Sequence, residues 1–353
     1  MLADGSIVNA NDDENADLHR ALKGGNNNLG IVTRFDLDLF EQRKMWGGFI
    51  ASNISKAEFV DWFYNYSNTV TRDPKSMTLM GAMTFSGDFL AAGLVTYQTP
   101  TQDPAIFKPL TDNPLTFADV LNLLPTSLGN LLNTNYNAAM ANITGSSNSK
   151  TKRVDSLSDF LNVFGASGPT TYTAISQVNS LTTPNGLDIA FSAFSYINSK
   201  EYLSQLLDLH ASETAGQNFT STLGLQTIWS SSQTNGQNVL GLENTAPGED
   251  VVVVLLTTVW FGGTDYAIVR NWTIQFLDKA ESLAKQVGVY TPFIYGNYGS
   301  EFQDVIAGYG AQSVSFLKNT SNKYDPNGVF QNRVPGGYKL SRTPNDWCQF
   351  GGC

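Results

Sequence analysis

An α+β fold built around a large antiparallel sheet is what this sequence predicts, and three observations predict it. Apolar, β-branched runs recur as closely spaced pairs, as in MTLMGAMTF and FLAAGLVTY between Met77 and Tyr97. Helical periodicity separates these pairs rather than alternating strictly with single strands, so a doubly wound parallel sheet does not fit. No internal repeat organises the chain. Its 353 residues, 41% hydrophobic and 15% charged, suffice for a sizeable core.

The elements follow in order. GSIVNA reads as a hairpin strand leaving a turn at Ala3-Asp4-Gly5. Asn15 or Asp17 can cap a helix through Lys23, and Gly24 stands where a helix C-terminus favours a left-handed residue. In IVTRFDLDLF, Phe35, Leu37 and Leu39 alternate with Arg34, Asp36 and Asp38, the pattern of a half-buried strand. WGGFIAS is a strand and Ser55 to Asn68 has helical apolar spacing. Met77 to Tyr97 is an antiparallel pair around Ser86-Gly87-Asp88. Pro104 to Leu132 is mixed and partly helical, and Asn133 to Thr151 is loop-like. Leu187 to Ser195 is a strand, Ser199 to Ser212 a helix and Gly224 to Trp229 a strand, followed by a polar turn, SSSQTNGQN. Val251 to Phe261, VVVVLLTTVWF, is too short to span a bilayer and reads as a buried strand. Asp265 to Gly288 is an amphipathic helix, Ile294 to Asn297 a short strand and Ala307 to Ser321 a helix. YDPNGVFQ then ends the ordered fold.

Composition excludes some partners. A net charge of −10 gives no reason to approach phosphate backbones or anionic lipid, so neither nucleic acid nor membrane is expected. The first residues lack the basic start and apolar core of a signal peptide. Six N-x-S/T sequons, at Asn53, Asn65, Asn142, Asn218, Asn271 and Asn319, nevertheless hint at a glycosylated, secreted ancestor. Cys348 and Cys353 would close only a trivial loop if paired. With His19 and His210 the only histidines, no zinc or redox cluster is expected, and both read as ordinary surface or core residues.

GGNNNLG, Gly24 to Gly30, concentrates backbone freedom in one turn. Glycine and asparagine tolerate positive φ, and a turn with few side chains lets N–H groups approach a ligand. Taken alone, the turn is better accounted for as a tight connection between packed elements. It is not a G-x-G-x-x-G fingerprint, because it follows a helix and precedes a strand.

The segment LADGSIVNAN…DLHRALKGGNNNLGIVTRFDL closely resembles part of the FAD-linked oxidases with a berberine bridge enzyme-like C-terminus. NGQNVLGLE (Asn235 to Glu243), YGNYGSEFQDVIAGYG (Tyr295 to Gly310) and NKYDPNGVFQ…PGGYKL (Asn322 to Leu340) match the family in the same order. The resemblance implies a vanillyl-alcohol oxidase-type fold. Residues 1–40 and about 296–353 would form part of an FAD-binding domain. Residues 41–295 would form a substrate domain, a large antiparallel sheet covered by helices. Gly24, Gly25, Asn28, Gly30, Ile31 and Val32 match the turn whose backbone lies along FAD. Tyr295, Asn297 and Tyr298 match the Y-x-N-Y motif beside the flavin ring, with Tyr298 the family's candidate base. A tyrosine serves as base only if its pKa falls well below the usual value of about 10.

The implied activity is oxidation of a small organic substrate by hydride transfer to flavin, with O2 as acceptor, in secondary metabolism. The family's N-terminal half, with its pyrophosphate loop and the residues that tether the flavin covalently, has no counterpart here. Met1 falls where the family has the interior of a strand, so the chain is expected to be the C-terminal part of a longer, secreted protein. A separate chain supplying the missing lobe is a further possibility. The alternatives are a flavin-free small-molecule binder, a non-redox cyclase built on the substrate domain, or an inactive remnant.

Overall fold

A computed structural model describes residues 1–39, 41, 44–85, 88–115, 119, 169–170, 188–233, 237–260 and 264–341. Its centre is an antiparallel sheet of eight strands: β1 (Met45–Ser52), β2 (Ser76–Phe85), β3 (Asp88–Tyr97), β4 (Pro169–Thr170), β5 (Asp188–Ile197), β6 (Thr220–Ile228), β7 (Val251–Trp260) and β8 (Tyr290–Thr291). Their order across the sheet is β4-β1-β3-β2-β6-β7-β5-β8. The α+β expectation therefore holds. The β2–β3 hairpin pairs in one register from Ser76↔Tyr97 to Phe85↔Asp88. β7 sits between β6 and β5 along its whole length, which is why its sequence is a continuous apolar run.

Side-chain alternation gives the sheet two different faces. On one, Met80, Val95, Tyr196, Leu223, Leu225, Val252, Val254 and Leu256 pack beneath three helices. These are α1 (Lys56–Tyr66), α2 (Lys200–Thr214) and α3 (Tyr266–Val287). Each starts where a side chain caps it. Ser55 and Glu58 form a reciprocal capping box, Ser199 accepts from the Tyr202 N–H, and Asp265 accepts from the Ala267 N–H. Gly288, at φ 82°, ends the third.

On the opposite face, Val251 and Val253 join a second core. It also contains Leu18 and Ala21 from the short helix Ala16–Leu22, then Leu29, Val239, Phe293, Val305, Tyr309 and Leu317. Leu317 lies on a helix at Gly310–Tyr324. The chain's first thirty residues and its residues beyond 290 thus meet under one end of the sheet.

Several local expectations fail. Residues 6–10 and 31–39 form no strand, although the Ala3-Asp4-Gly5 turn is present. Ile7, Phe35, Leu37 and Leu39 are 73–95% exposed because no neighbouring strand pairs with these segments among the described residues. Ile294 to Asn297 is a loop and turn, and the short strand lies earlier, at Tyr290–Thr291. Order does not end at YDPNGVFQ: its last three residues open a helical turn, Val329–Asn332, and the chain as far as Leu340 docks against the second core. Asn15 precedes the first helix without a side-chain cap, in a left-handed conformation. The expectations for residues 120–151, for the Ser86-Gly87 turn, for residues 234–236, for Asn142 and for both cysteines fall outside the described residues.

Candidate functional site

The Gly24–Gly30 turn is held by the chain itself. Asn28 is fully buried, and its amide nitrogen donates to the carbonyls of Gly25 (2.9 Å) and Tyr338 (2.8 Å). Its amide oxygen accepts from Gln331 Nε2 (3.0 Å) and from the Leu340 N–H (3.4 Å). Asn27 donates to the Gly336 carbonyl at 3.1 Å and receives Lys339 Nζ at 3.0 Å. Lys339 is itself buried and also donates to the Phe330 carbonyl. The asparagines therefore fasten the turn to residues 330–340, some three hundred positions away.

The glycines answer to the same packing. A Cβ on Gly25 would lie 2.4 Å from the Ala21 carbonyl oxygen, and one on Gly24 2.9 Å from Val239. Gly30 lies against the backbone of Met1. The backbone of the turn is less committed. The N–H groups of Asn26, Asn27 and Gly30 donate to nothing among the described residues, whereas Leu29 is fully buried in the second core. Ile31 and Val32 beyond them are 51% and 40% exposed. Free N–H groups beside an exposed apolar pair fit an anionic and aromatic cofactor. The buried Asn28 side chain is fully engaged with protein.

The Tyr295–Ser300 loop lies next to this turn. A Cβ on Gly296 would be 3.9 Å from Asn26 Oδ1, and one on Gly299 would be 2.5 Å from Tyr338 Oη. Three clamps fix the loop over the sheet. Gln303 pairs with the free edge of β5, its amide oxygen accepting from Ala193 N–H (3.0 Å) and its nitrogen donating to Ala193 O (2.6 Å). The Glu301 carboxylate accepts from Tyr266 Oη, Arg270 Nε and Ser300 Oγ at 2.9, 3.0 and 2.6 Å. Burial alone would raise its pKa; those hydrogen bonds outweigh the burial and hold it below the usual value. Tyr298 Oη donates to Gln226 Oε1 on β6 at 2.9 Å.

Sequence reasoning missed Gln226, Gln303 and Glu301. A glutamine on a strand carries no local signal, and its role comes only from a contact 72 residues away.

Tyr295 and Tyr298 are half-buried, their rings 5.0 Å apart and nearly perpendicular. Asn297 is exposed, and its amide donates to Tyr295 Oη at 2.8 Å. Burial, followed by the adjacent Tyr295, pushes the Tyr298 phenol up. Nearby Tyr309 and Tyr338 are pushed up to about 12, mainly by burial. The depressed pKa that a tyrosine base requires is not present in this arrangement.

Next to Tyr298 the sheet presents its less covered face. Leu79, Gly81, Thr222, Gly224 and Leu255 share that face with Gln226, and Met77 and Phe191 on it are 53% and 48% exposed. Two open grooves of about 550 Å³ lie elsewhere, on the helical side. One runs between α2 and α3, the other beside α1, and neither is lined by these tyrosines. Among the described residues no cluster of metal-ligating side chains occurs. No helix there is long and apolar enough to cross a membrane.

No family model matches the chain. An FAD-dependent monooxygenase of Fusarium proliferatum is 32% identical over 363 residues, covering 96% of this chain and 60% of that protein. Another, of Aspergillus calidoustus, is 28% identical over 358 residues, covering 98% and 59%. The chain thus spans about 60% of the length of these relatives. Among solved structures, the carbohydrate oxidase of Microdochium nivale superposes with a TM-score of 0.60 at 18% identity, covering 97% of this chain and 65% of that one. For 6-hydroxy-D-nicotine oxidase of Arthrobacter nicotinovorans the TM-score is 0.57 at 15% identity, with 96% and 64% covered. The chain therefore has the fold of the FAD-linked oxidases, of vanillyl-alcohol oxidase type, and is similar over nearly its whole length to FAD-dependent monooxygenases.

Proposed function

We propose that the chain is the substrate-binding part of an FAD-dependent oxidoreductase that oxidises a small organic molecule in secondary metabolism. One observation carries this reading: three remote segments converge at one edge of an apolar sheet face. They are the turn at 24–30 with its free N–H groups, the loop at 295–300, and residues 336–340. Convergence of this kind builds a site rather than a surface loop. The FAD dependence of the relatives supports the choice of cofactor.

The turn N–H groups, with Ile31 and Val32, would hold the cofactor along one side. When bound, FAD supplies the hydride acceptor, with O2 as the final oxidant. The chain's own residues do the rest. Leu79, Met77, Leu255 and Phe191 give the substrate an apolar bed that excludes water. Tyr298, fixed by Gln226, meets its polar group. Because burial keeps the phenol protonated at neutral pH, Tyr298 positions the substrate by hydrogen bonding. It takes up a proton only if its surroundings change when the site fills.

Two readouts test the reading. The purified chain, incubated with FAD and passed through a gel-filtration column, should retain visible flavin absorbance. Tyr298→Phe should keep that absorbance while lowering turnover at least tenfold. A folded protein that emerges colourless at saturating FAD would overturn the flavin assignment.

A further inference from the structure

The groove beside α1 lies on the helical side of the sheet, away from the candidate site. Trp62, Ile106 and Pro109 line it with apolar surface, and the exposed carboxylates of Glu58, Asp61 and Asp112 line it with acceptors. Trp62 Nε1 donates to the Ile106 carbonyl at 2.7 Å, which ties α1 to the opposite wall. Asn65 lines the same groove, and Asn65-Tyr66-Ser67 is one of the chain's N-x-S/T sequons. Asn53, Asn65, Asn218, Asn271 and Asn319 are all exposed. Of these five, Asn65 alone lines either of the two grooves. It is the second-last residue of α1, where side chains lean back towards the helix N-terminus. Its Nδ2 accordingly donates to the Asp61 carbonyl at 2.8 Å. The amide is aimed back over Asp61 and Trp62, along the groove.

We propose that Asn65 carries an N-linked glycan and that the first N-acetylglucosamine of this glycan lies in the groove beside α1. In the transfer, Asn65 Nδ2 bonds to C1 of the sugar, the bond from C1 to a lipid diphosphate breaks, and one Nδ2 proton leaves to a base. The second proton goes on donating to the Asp61 carbonyl, so the end of α1 keeps its arrangement. A pyranose ring combines apolar C–H faces with hydroxyl donors. Trp62, Ile106 and Pro109 meet the faces, and the carboxylates accept from the hydroxyls. Asp61 already holds Lys200 at 2.7 Å and Asp112 holds Lys108 at 2.6 Å, but a carboxylate has acceptor sites to spare. The inference routes the protein through the secretory pathway and is independent of the flavin reading.

The test expresses the chain behind a cleavable secretion leader in a eukaryotic host that attaches mannose-rich glycans. Attachment precedes folding, so the Asn65 peptide is scored by mass spectrometry in cell extract and medium alike. It should carry sugar in most molecules, and Asn65→Gln should lose one glycan. An Asn65 left bare overturns the site. Two readouts then test the seat. Peptide N-glycosidase acting on the folded protein should release the Asn65 glycan slowly. Ala105→Trp, which fills the groove from an exposed position, should speed that release about fivefold, the scale of one net hydrogen bond. Independently of that variant, endoglycosidase H trims each glycan to one N-acetylglucosamine. The gap in urea midpoint between parent and Asn65→Gln should then exceed the gap between the same two chains made without sugar in bacteria. Equal release rates together with equal gaps would mean that the sugar points into solvent, and would overturn the groove as its seat.

Discussion

At the scale of single residues, Asn28 and Asn297 show how differently asparagines of two neighbouring motifs can behave. Asn28 is fully buried and makes four hydrogen bonds to three separate stretches of chain. Replacing it with alanine strands two carbonyl acceptors and two donors inside the protein. Each such loss costs about 1 kcal/mol or more. Asn28→Ala should therefore lower unfolding stability by roughly 3 kcal/mol, read as a reduced urea midpoint at unchanged slope. Asn297 is exposed, and among the described residues its side chain hydrogen-bonds only to Tyr295. Asn297→Ala should leave stability within about 0.5 kcal/mol of the parent in the same experiment. If the two variants unfold alike, the turn is not the staple between residues 24–30 and 330–340 described here. The triple asparagine was visible in the sequence as backbone freedom; its use as an internal fastener was not. Its partners, Gln331, Gly336, Tyr338 and Leu340, are three hundred residues distant, and no local pattern announces them.

At the scale of elements, what the sequence revealed depended on where each element finds its partners. β7 was legible because four consecutive valines can only be buried between two other strands. The Tyr266–Val287 helix was legible because Asp265 and Gly288 mark its ends. Residues 31–39 show the converse. Their apolar–polar alternation was read correctly, yet alternation specifies a face and not the strand that covers it. Among the described residues no strand pairs with this segment, whose backbone bonds to Met1 only at Ile31, and Phe35, Leu37 and Leu39 stand 73%, 78% and 95% exposed. Residues so exposed contribute little to folding, but they form an apolar stripe prone to association. Replacing Phe35 with Lys and Leu39 with Glu should change unfolding stability by less than about 0.5 kcal/mol. Binding of a hydrophobic dye and light scattering at high concentration should both fall. A loss of several kcal/mol would show instead that the stripe is buried in solution. The site divided in the same manner. Tyr295, Asn297 and Tyr298 were picked out by family resemblance, while Gln226 became visible only once strand β6 was laid beneath them.

At the scale of the whole molecule, the sheet separates two cores, and the larger one, under α1, α2 and α3, carries a titratable group. His210 lies on α2, 1% exposed, with its ring set edge-on against Phe276 at 5.6 Å. Its Nε2 has no hydrogen-bond partner among the described residues. Burial favours the neutral imidazole and lowers its pKa from 6.5 to about 4. The unfolded chain therefore binds a proton on this residue between those two values and the folded chain does not. Stability from the neutral, buried ring is complete above about pH 6.5. It is lost as the pH falls from 6.5 towards 4, by up to roughly 3 kcal/mol over the window. Carboxylates with lowered pKa values, Asp17 and Glu301 among them, lose their contribution only at lower pH, so the two effects separate on the pH axis. Replacing His210 with Leu keeps an apolar side chain in the space and removes the proton. Urea midpoints measured every half unit from pH 7.5 to 4 should fall steeply for the parent and stay nearly level for His210→Leu down to about pH 5. Parallel curves would mean that the acid sensitivity of this fold lies elsewhere. A steeper fall in the variant would mean that the imidazole is charged and paired in the folded protein, contrary to its position in the core.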